Sequence, residues 1–252
     1  MIDKSLVKKR FSKSLKTYND NAIVQKQMAE KLIGFLPKKE FKSVLEIGCA
    51  TGLLTKQIAS TISFSTFSAN DIVSESENYV KDIIPNFEFI NGDIEEIKLE
   101  KKYDLIISNA CIQWCTNIEE TILKLKNSLN EDGVLAVSVF GKDNLKELNE
   151  IFNIPVKTVD ISKLPKNTLV IEETINMFFD NPIDVLRHIK LTGANAVKEM
   201  KLTKSILKDF EEKYYEKFAQ KNRVQLTYNP IYLIISCYLF EVDIQIIILL
   251  LQ

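Results

Sequence analysis

The sequence predicts an α/β fold, a mostly parallel sheet with helices on both faces, preceded by a helical lid and followed by a smaller cap. Three observations carry this. Short apolar runs alternate with amphipathic stretches between residues 43 and 140. The first run ends in a glycine-bearing bend that opens a helix. The alternation breaks off after Gly141, where helical and strand-like patterns mix. Alternation of this kind covers a parallel sheet on both faces, and right-handed crossovers put the ligand crevice at the carboxyl ends of the strands.

In chain order, residues 3–18 and 20–36 show helical apolar spacing through Leu6, Phe11, Leu15 and Tyr18, then Ile23, Met28, Leu32 and Phe35, and Pro37 closes the second helix. The strand-like runs are Ser43–Ile47, Phe64–Ala69, Phe87–Ile90, Leu105–Ser108 and Val134–Phe140. Helical segments fall at Thr51–Ser60, Glu75–Ile84 and Asn117–Leu129. Beyond Gly141, residues 143–152, 182–191 and 203–219 read as helices. Thr168–Ile171 and Ile175–Phe179 read as short β runs, and Tyr232–Ser236 as a final strand. The expected division is a lid over 1–36, a binding core over 37–141, a cap with a returning strand over 142–228, and a last strand with an apolar tail over 229–252.

Composition fits a soluble globular chain: of 252 residues, 46% are hydrophobic and 27% charged. Net charge is −1, yet residues 1–42 hold 11 Lys/Arg against 4 Asp/Glu, leaving −8 for the remainder. A cationic end beside an acidic body suits an anionic partner or a solvated helix face. Four cysteines (Cys49, Cys111, Cys115, Cys237) and the single histidine, His188, match neither a secreted disulfide frame nor a zinc site. Reduced thiols in a cytoplasmic monomer are expected, with no metal. No signal peptide is expected at the basic N-terminus. Residues 231–251 are strongly apolar, but Glu241 and Asp243 interrupt them, so no membrane span is expected. Without a strong basic excess or a stacking platform, no nucleic-acid partner is expected.

The informative segment is Val44–Gly52, where an apolar strand ends in Glu46 and a bend carries Gly48 and Gly52. A dinucleotide fingerprint needs glycines at 48, 50 and 53, and here stand Gly48, Ala50 and Leu53. Glu46 beside a pyrophosphate would repel it, whereas a sulfonium or ammonium group would be attracted. The loop therefore suits S-adenosylmethionine better than a nicotinamide dinucleotide. Asp71 ends the second strand, where a carboxylate accepts hydrogen bonds from a ribose diol, with Ile72 beside it. Asp93 and Ile94 follow the third strand and suit an adenine amino group and ring. Asn109 ends the fourth strand near the expected methyl position. Each residue alone also fits a turn or cap.

Together these residues resemble the class I S-adenosylmethionine-dependent methyltransferases, whose fold implies a Rossmann-like, seven-stranded, mostly parallel sheet. A narrower resemblance lies in Ser108–Cys115, with Gln113 and Trp114, which is similar to a segment of the malonyl-acyl-carrier-protein O-methyltransferases of biotin synthesis. Phe11, Tyr18, Ala22 and Gln25, the segment Phe140–Leu148, Leu186–Asn195 and Leu226–Tyr228 agree with that family. Ala50, in place of a usual glycine, and the tail from Cys237 depart from it. The resemblance implies methyl transfer to the free carboxylate of a malonyl thioester, whose ester lets fatty-acid enzymes build the pimeloyl chain of biotin. It implies Tyr18, Gln113 and Trp114 near the reacting groups. It also makes Arg187, His188 and Lys190 candidates for the malonyl carboxylate or the carrier's phosphate. The basic N-terminal region is expected to meet acyl carrier protein, acidic as a class. The alternatives are a methyltransferase for free carboxylic acids such as aconitate, or for quinones.

Overall fold

The computed structural model describes residues 2–154, 156–192 and 203–236. The apolar tail from Cys237, and Gly193–Asn195 of the family-like helix segment, lie outside them.

Two helices open the chain, α1 (Lys4–Asn21) and α2 (Ile23–Gly34). Five strands follow: β1 (Glu40–Ile47), β2 (Ser63–Asp71), β3 (Glu88–Asn91), β4 (Tyr103–Asn109) and β5 (Leu129–Phe140). Between them run α3 (Leu53–Thr61), α4 (Ser76–Lys81) and α5 (Ile118–Asn127). The remainder comprises α6 (Lys146–Phe152), β6 (Thr168–Glu172), β7 (Ile175–Phe179), α7 (Pro182–Leu191), α8 (Lys204–Phe218), β8 (Ala219–Gln220), β9 (Arg223–Tyr228) and β10 (Pro230–Ser236).

The main sheet has seven strands in the order β3-β2-β1-β4-β5-β10-β6. β1 to β5 pair in parallel, while β10 runs antiparallel to both β5 and β6. From β1 the chain builds outward to β3, then crosses back to lay β4 on β1's other edge. That reversal opens a crevice at the carboxyl ends of β1 and β4. Ile47 is level there with Asn70 on one side and Ser108 on the other.

Both faces of the sheet are covered, as a doubly wound architecture requires. Val44, Leu105 and Ile107 turn to one face, packed with Met28 and Leu32 of α2 and Ile58 of α3. Leu45, Ile47 and Ile106 turn to the other, packed with Ile118, Ile122 and Leu125 of α5. Local signals agree with this packing. The side chains of Asp3, Asn117 and Asn181 cap α1, α5 and α7, and α5 has Glu119 and Glu120 in its first turn and Lys124 and Lys126 in its last.

The expected seven strands are present, with two differences in detail. The two short β runs after residue 167 part company: β6 joins the main sheet, whereas β7 pairs with β9 in a separate three-stranded sheet, β7-β9-β8. β9 is a further strand that the expected elements did not include, although Arg223–Tyr228 alternates polar and apolar over six positions. The N-terminal helices also divide. α2 fully buries Val24, Met28, Ala29 and Leu32 and belongs to the core layer, so only α1 lies over the crevice as a lid.

The cap around the small sheet hangs on a buried carboxylate. Glu147 of α6 is 0% exposed, and its two oxygens accept the Thr227 amide at 2.9 Å and the Thr227 hydroxyl at 2.6 Å. Phe152 stacks on Phe210 of α8 beside it, and the Tyr214 hydroxyl donates to the Gln225 carbonyl at 2.7 Å. Glu147→Ala strands two buried donors, so it should lower stability by about 2–4 kcal/mol. Urea unfolding should show a lower midpoint with an unchanged slope; an unchanged midpoint would contradict this anchoring.

Candidate active site

The crevice, together with its open mouth, spans about 720 Å³. Gly48 and Ala50 form its floor, and Asp71, Ile72, Val73 and Ser76 one wall. Asp93 and Ile94 lie at one end, and Asn109, Ala110, Cys111, Trp114 and Cys115 make the opposite wall. Lys4, Val7, Phe11, Leu15 and Tyr18 of α1 roof it.

The β1–α3 bend holds three residues in the left-handed region, Gly48 at φ +73°, Ala50 at +45° and Gly52 at +74°. The amides of Gly48 and Cys49 both donate to the Asn70 carbonyl, at 2.8 and 3.1 Å. A Cβ on Gly48 would sit 2.3 Å from the Cys111 Sγ, so this glycine is needed for packing across the crevice as well as for its torsion. Gly52 is off the cavity wall, and its Cβ would collide with Ile83.

Glu46 does not reach the cavity wall. It is 1% exposed and accepts the Thr55 hydroxyl of α3 at 2.6 Å. Strand alternation explains this: Glu46 shares the face of Val44, under α3, not that of Ile47. Burial pushes its carboxyl up to about 8, against the pull of the Thr55 hydrogen bond and with a further push from Asp71.

Asp71 stands on the wall. Its Oδ2 accepts the Ala50 amide and its Oδ1 the Val73 amide, both at 2.8 Å, and burial, opposed by these bonds, raises it to about 6. Ile72 and Ile94 supply apolar surface beside Asp71 and Asp93. Asn109 lines the wall, yet both ends of its amide are committed: Nδ2 donates to the Gln25 carbonyl at 2.9 Å, and Oδ1 accepts the Ser138 hydroxyl at 2.6 Å. It braces β4 against α2 and β5.

The roof is pinned at both ends. Lys4 Nζ lies 3.0 Å from Asp93 Oδ2 and 2.5 Å from Glu95 Oε2. Desolvation works against the Lys4 charge, but hydrogen bonds to Glu95 and Asp93 outweigh it and raise its pKa. Toward the other end, the Thr51 hydroxyl donates to Asn19 at 2.6 Å and the Thr17 hydroxyl to the Leu191 carbonyl at 3.0 Å. Phe11 meets Trp114 edge to face at 5.5 Å. Tyr18 faces the cavity with its hydroxyl held neutral, burial raising its pKa. Gln113 sits behind the wall: its amide nitrogen donates to the Ala110 carbonyl at 2.7 Å, and its Oε1 is buried without a partner.

Arg187, His188 and Lys190 are not brought to the crevice. Arg187 and Lys190 are exposed on α7, and Arg187 pairs with Asp184. His188 is 8% exposed, bonded to the Tyr228 hydroxyl at 2.8 Å, and burial lowers its pKa. A buried neutral imidazole already engaged in this way does not grip a carboxylate. Sequence reasoning missed Lys4, Val73, Ser76 and the two wall cysteines; an N-terminal lysine among many carried no signal.

The cleft passes the test for a nucleoside with a cationic tail. Acids stand at the β2 and β3 ends, Lys4 is already spent on Asp93 and Glu95, and no other Lys or Arg lines the described wall for a diphosphate. A family model described as a methyltransferase domain matches residues 21–151. At the level of class, then, the fold and the cleft carry a methyltransferase domain.

Curated relatives narrow this. The chain is 38% identical over 239 residues to a malonyl-[acyl-carrier protein] O-methyltransferase of Calditerrivibrio nitroreducens, covering 91% of this chain and 95% of that one. It is 32% identical to the protein of the same name from Chlorobium luteolum, covering 92% and 95%. The chain belongs to the malonyl-[acyl-carrier protein] O-methyltransferase family. Among solved structures, the plantazolicin methyltransferase BpumL in complex with SAH shares the fold, with a TM-score of 0.52, 15% identity and coverage of 92% and 94%.

Two predictions follow from the bend. A left-handed alanine is strained by ~1–2 kcal/mol, partly offset by glycine's looser unfolded chain. Ala50→Gly should therefore raise the melting temperature by roughly 1–4 °C; a fall would mean that the bend is not strained at Ala50.

Glu46 is raised from 4.5 when unfolded to about 8 when folded, so the stability it contributes is complete below 4.5 and lost as pH climbs through 8. In melts of ligand-free protein between pH 6 and 9, the wild type should lose stability relative to Glu46→Gln, by on the order of 1–4 kcal/mol. Parallel curves for the two proteins would rule this out.

Proposed function

We infer that this crevice is where the chain transfers a methyl group from S-adenosylmethionine to the free carboxylate of a malonyl thioester on acyl carrier protein, making the ester used in biotin synthesis. The observation that carries the reading is a cleft with acids at the ends of β2 and β3 and aromatic side chains in its roof, in a chain of this family.

Asp71 would accept from the ribose, Asp93 from the adenine amino group, and Ile72 and Ile94 would pack on the base. Gly48 and Ala50 let the backbone approach the methionine portion. Glu46, mostly neutral at pH 7 with its carboxyl at about 8, would be drawn toward its charged form by a cation arriving at the bend, Gly52 shapes the bend, and Asn109 fixes the wall. When bound, S-adenosylmethionine supplies a methyl group already activated on a sulfonium. A malonyl carboxylate, with a reference pKa near ~4, is already an anion at neutral pH. The protein therefore has no proton to move.

The work left to the chain is alignment and exclusion of water, because water solvates the anion and the cation that must meet. Phe11, Leu15 and Trp114 shield the centre, and the Tyr18 hydroxyl and the Trp114 indole offer donors to one carboxylate oxygen. Neutral donors of this kind would orient that oxygen without quenching it as a paired arginine would. Gln113 supports the turn that presents Trp114.

Lys8, Lys9, Lys13 and Lys16 are exposed on α1. α7, with exposed Arg187 and Lys190, packs beside it. We assign this basic surface to the acidic carrier and its phosphopantetheine phosphate, with His188 as the buried support of α7. No helix among the described residues is long and apolar enough to cross a membrane.

The test is transfer of labelled methyl groups, with base-labile ester as the readout, to malonyl carrier protein, malonyl coenzyme A, free dicarboxylates and quinols side by side. The malonyl thioester should be methylated best. Lys13→Glu with Lys16→Glu should raise KM for the carrier-bound substrate about tenfold and leave kcat within about twofold. Preferential labelling of a free dicarboxylate or a quinol would displace this reading.

A further inference from the structure

We propose that the hydroxyl of Ser76 is a cofactor-binding group that hydrogen-bonds the ribose of the bound nucleoside beside Asp71. The inference rests on the reading of the crevice as the S-adenosylmethionine site.

Ser76 is 0% exposed to solvent and stands in the same wall as Asp71, Ile72 and Val73. Its amide donates to the Val73 carbonyl at 3.2 Å, but its Oγ has no hydrogen-bond partner. Buried hydroxyls are nearly always paired, so an unpaired one on a cavity wall points to a partner that arrives from the cavity. The other orphan among the described residues, Gln113 Oε1, lies off the wall.

The neighbouring polar groups say what that partner offers. Asp71 is acceptor-only when ionised, and each of its oxygens already takes one backbone amide. The Asn70 amide nitrogen is committed to the carbonyls of Ile90 and Gly92, at 2.8 and 3.0 Å. Ser76 thus supplies the spare donor on this wall. A ribose hydroxyl is one donor and two acceptors, so it can give its proton to Asp71 and accept one from Ser76. A thioether would use only one half of that pair, whereas an adenine edge also carries a donor beside an acceptor, so the ribose is identified by the loss of the effect in a deoxy analogue.

Calorimetric binding of S-adenosylhomocysteine to the full chain tests this. Ser76→Ala should weaken binding about three- to tenfold. The ligand-free variant should melt no lower than the wild type, because no hydrogen bond is lost. Against the 2′-deoxy and 3′-deoxy analogues, the variant and the wild type should bind equally for whichever analogue lacks the partnered hydroxyl. Equal affinity of both proteins for S-adenosylhomocysteine would overturn the proposal. So would the same loss against both deoxy analogues, or a lower melting temperature without ligand, which marks a structural serine. A wild type that fails to bind S-adenosylhomocysteine would instead remove the reading of the crevice, and this inference with it.

Discussion

The shape of the cleft depends on one carboxylate. Asp71 accepts the amide of Ala50 from the first bend and that of Val73 from the loop after its own strand. These two bonds hold the left-handed turn over the end of β2 and keep the floor and one wall in register. They also leave the carboxylate only its remaining lone pairs for a ligand. Burial raises its pKa to about 6 and the amides oppose that rise, which keeps the group that shapes the site ionised at neutral pH. A cationic ligand entering the cleft lowers that strain, and an anionic one increases it. Shape and charge preference thus come from the same residue.

The framework was legible because its signals are local and periodic. Strand runs with three or more apolar residues, capping Asn117 and Asn181, and the bend at Gly48 each decide structure within a few residues. β9 carries a local signal too, since Arg223–Tyr228 alternates polar and apolar over all six positions; what that alternation cannot give is its partner, β7, which puts it in the separate small sheet. Nor did helical periodicity tell α1 from α2. Both are amphipathic, but α2 buries six residues and α1 three, a difference set by what lies beneath them.

The lining of the crevice was legible where a place at or just past a strand end decides exposure, at Asp71, Asp93 and Asn109. It was less so where orientation decides. Glu46 has the right charge and spacing, yet strand parity turns it under α3 to Thr55. On α7, Val185, His188 and Ile189 form an i, i+3, i+4 buried stripe, which turns Arg187 and Lys190 outward. That stripe was present in the sequence and outranks the clustering of three basic residues. Lys4 was beyond reach, because its partners Asp93 and Glu95 lie some ninety positions away.

The roof shows why few apolar contacts suffice for a lid. α1 fully buries only Val7, Ser14 and Leu15, and its closed position is set by polar pins at Lys4, Thr17 and Asn19. Lifting such a helix exposes little apolar surface and trades charge pairs and hydrogen bonds for water, so opening draws on the low-energy end of local unfolding. A lid pinned by a large apolar interface would seal as well but open too rarely to admit a thioester arm. The basic outer face of α1 adds a second constraint: on the proposed assignment, an acidic partner seated there would press the helix down without competing with Lys4, which pairs with Asp93. Docking and closure would then favour the same position of α1, and the arrival of the acceptor would expel water from the cleft.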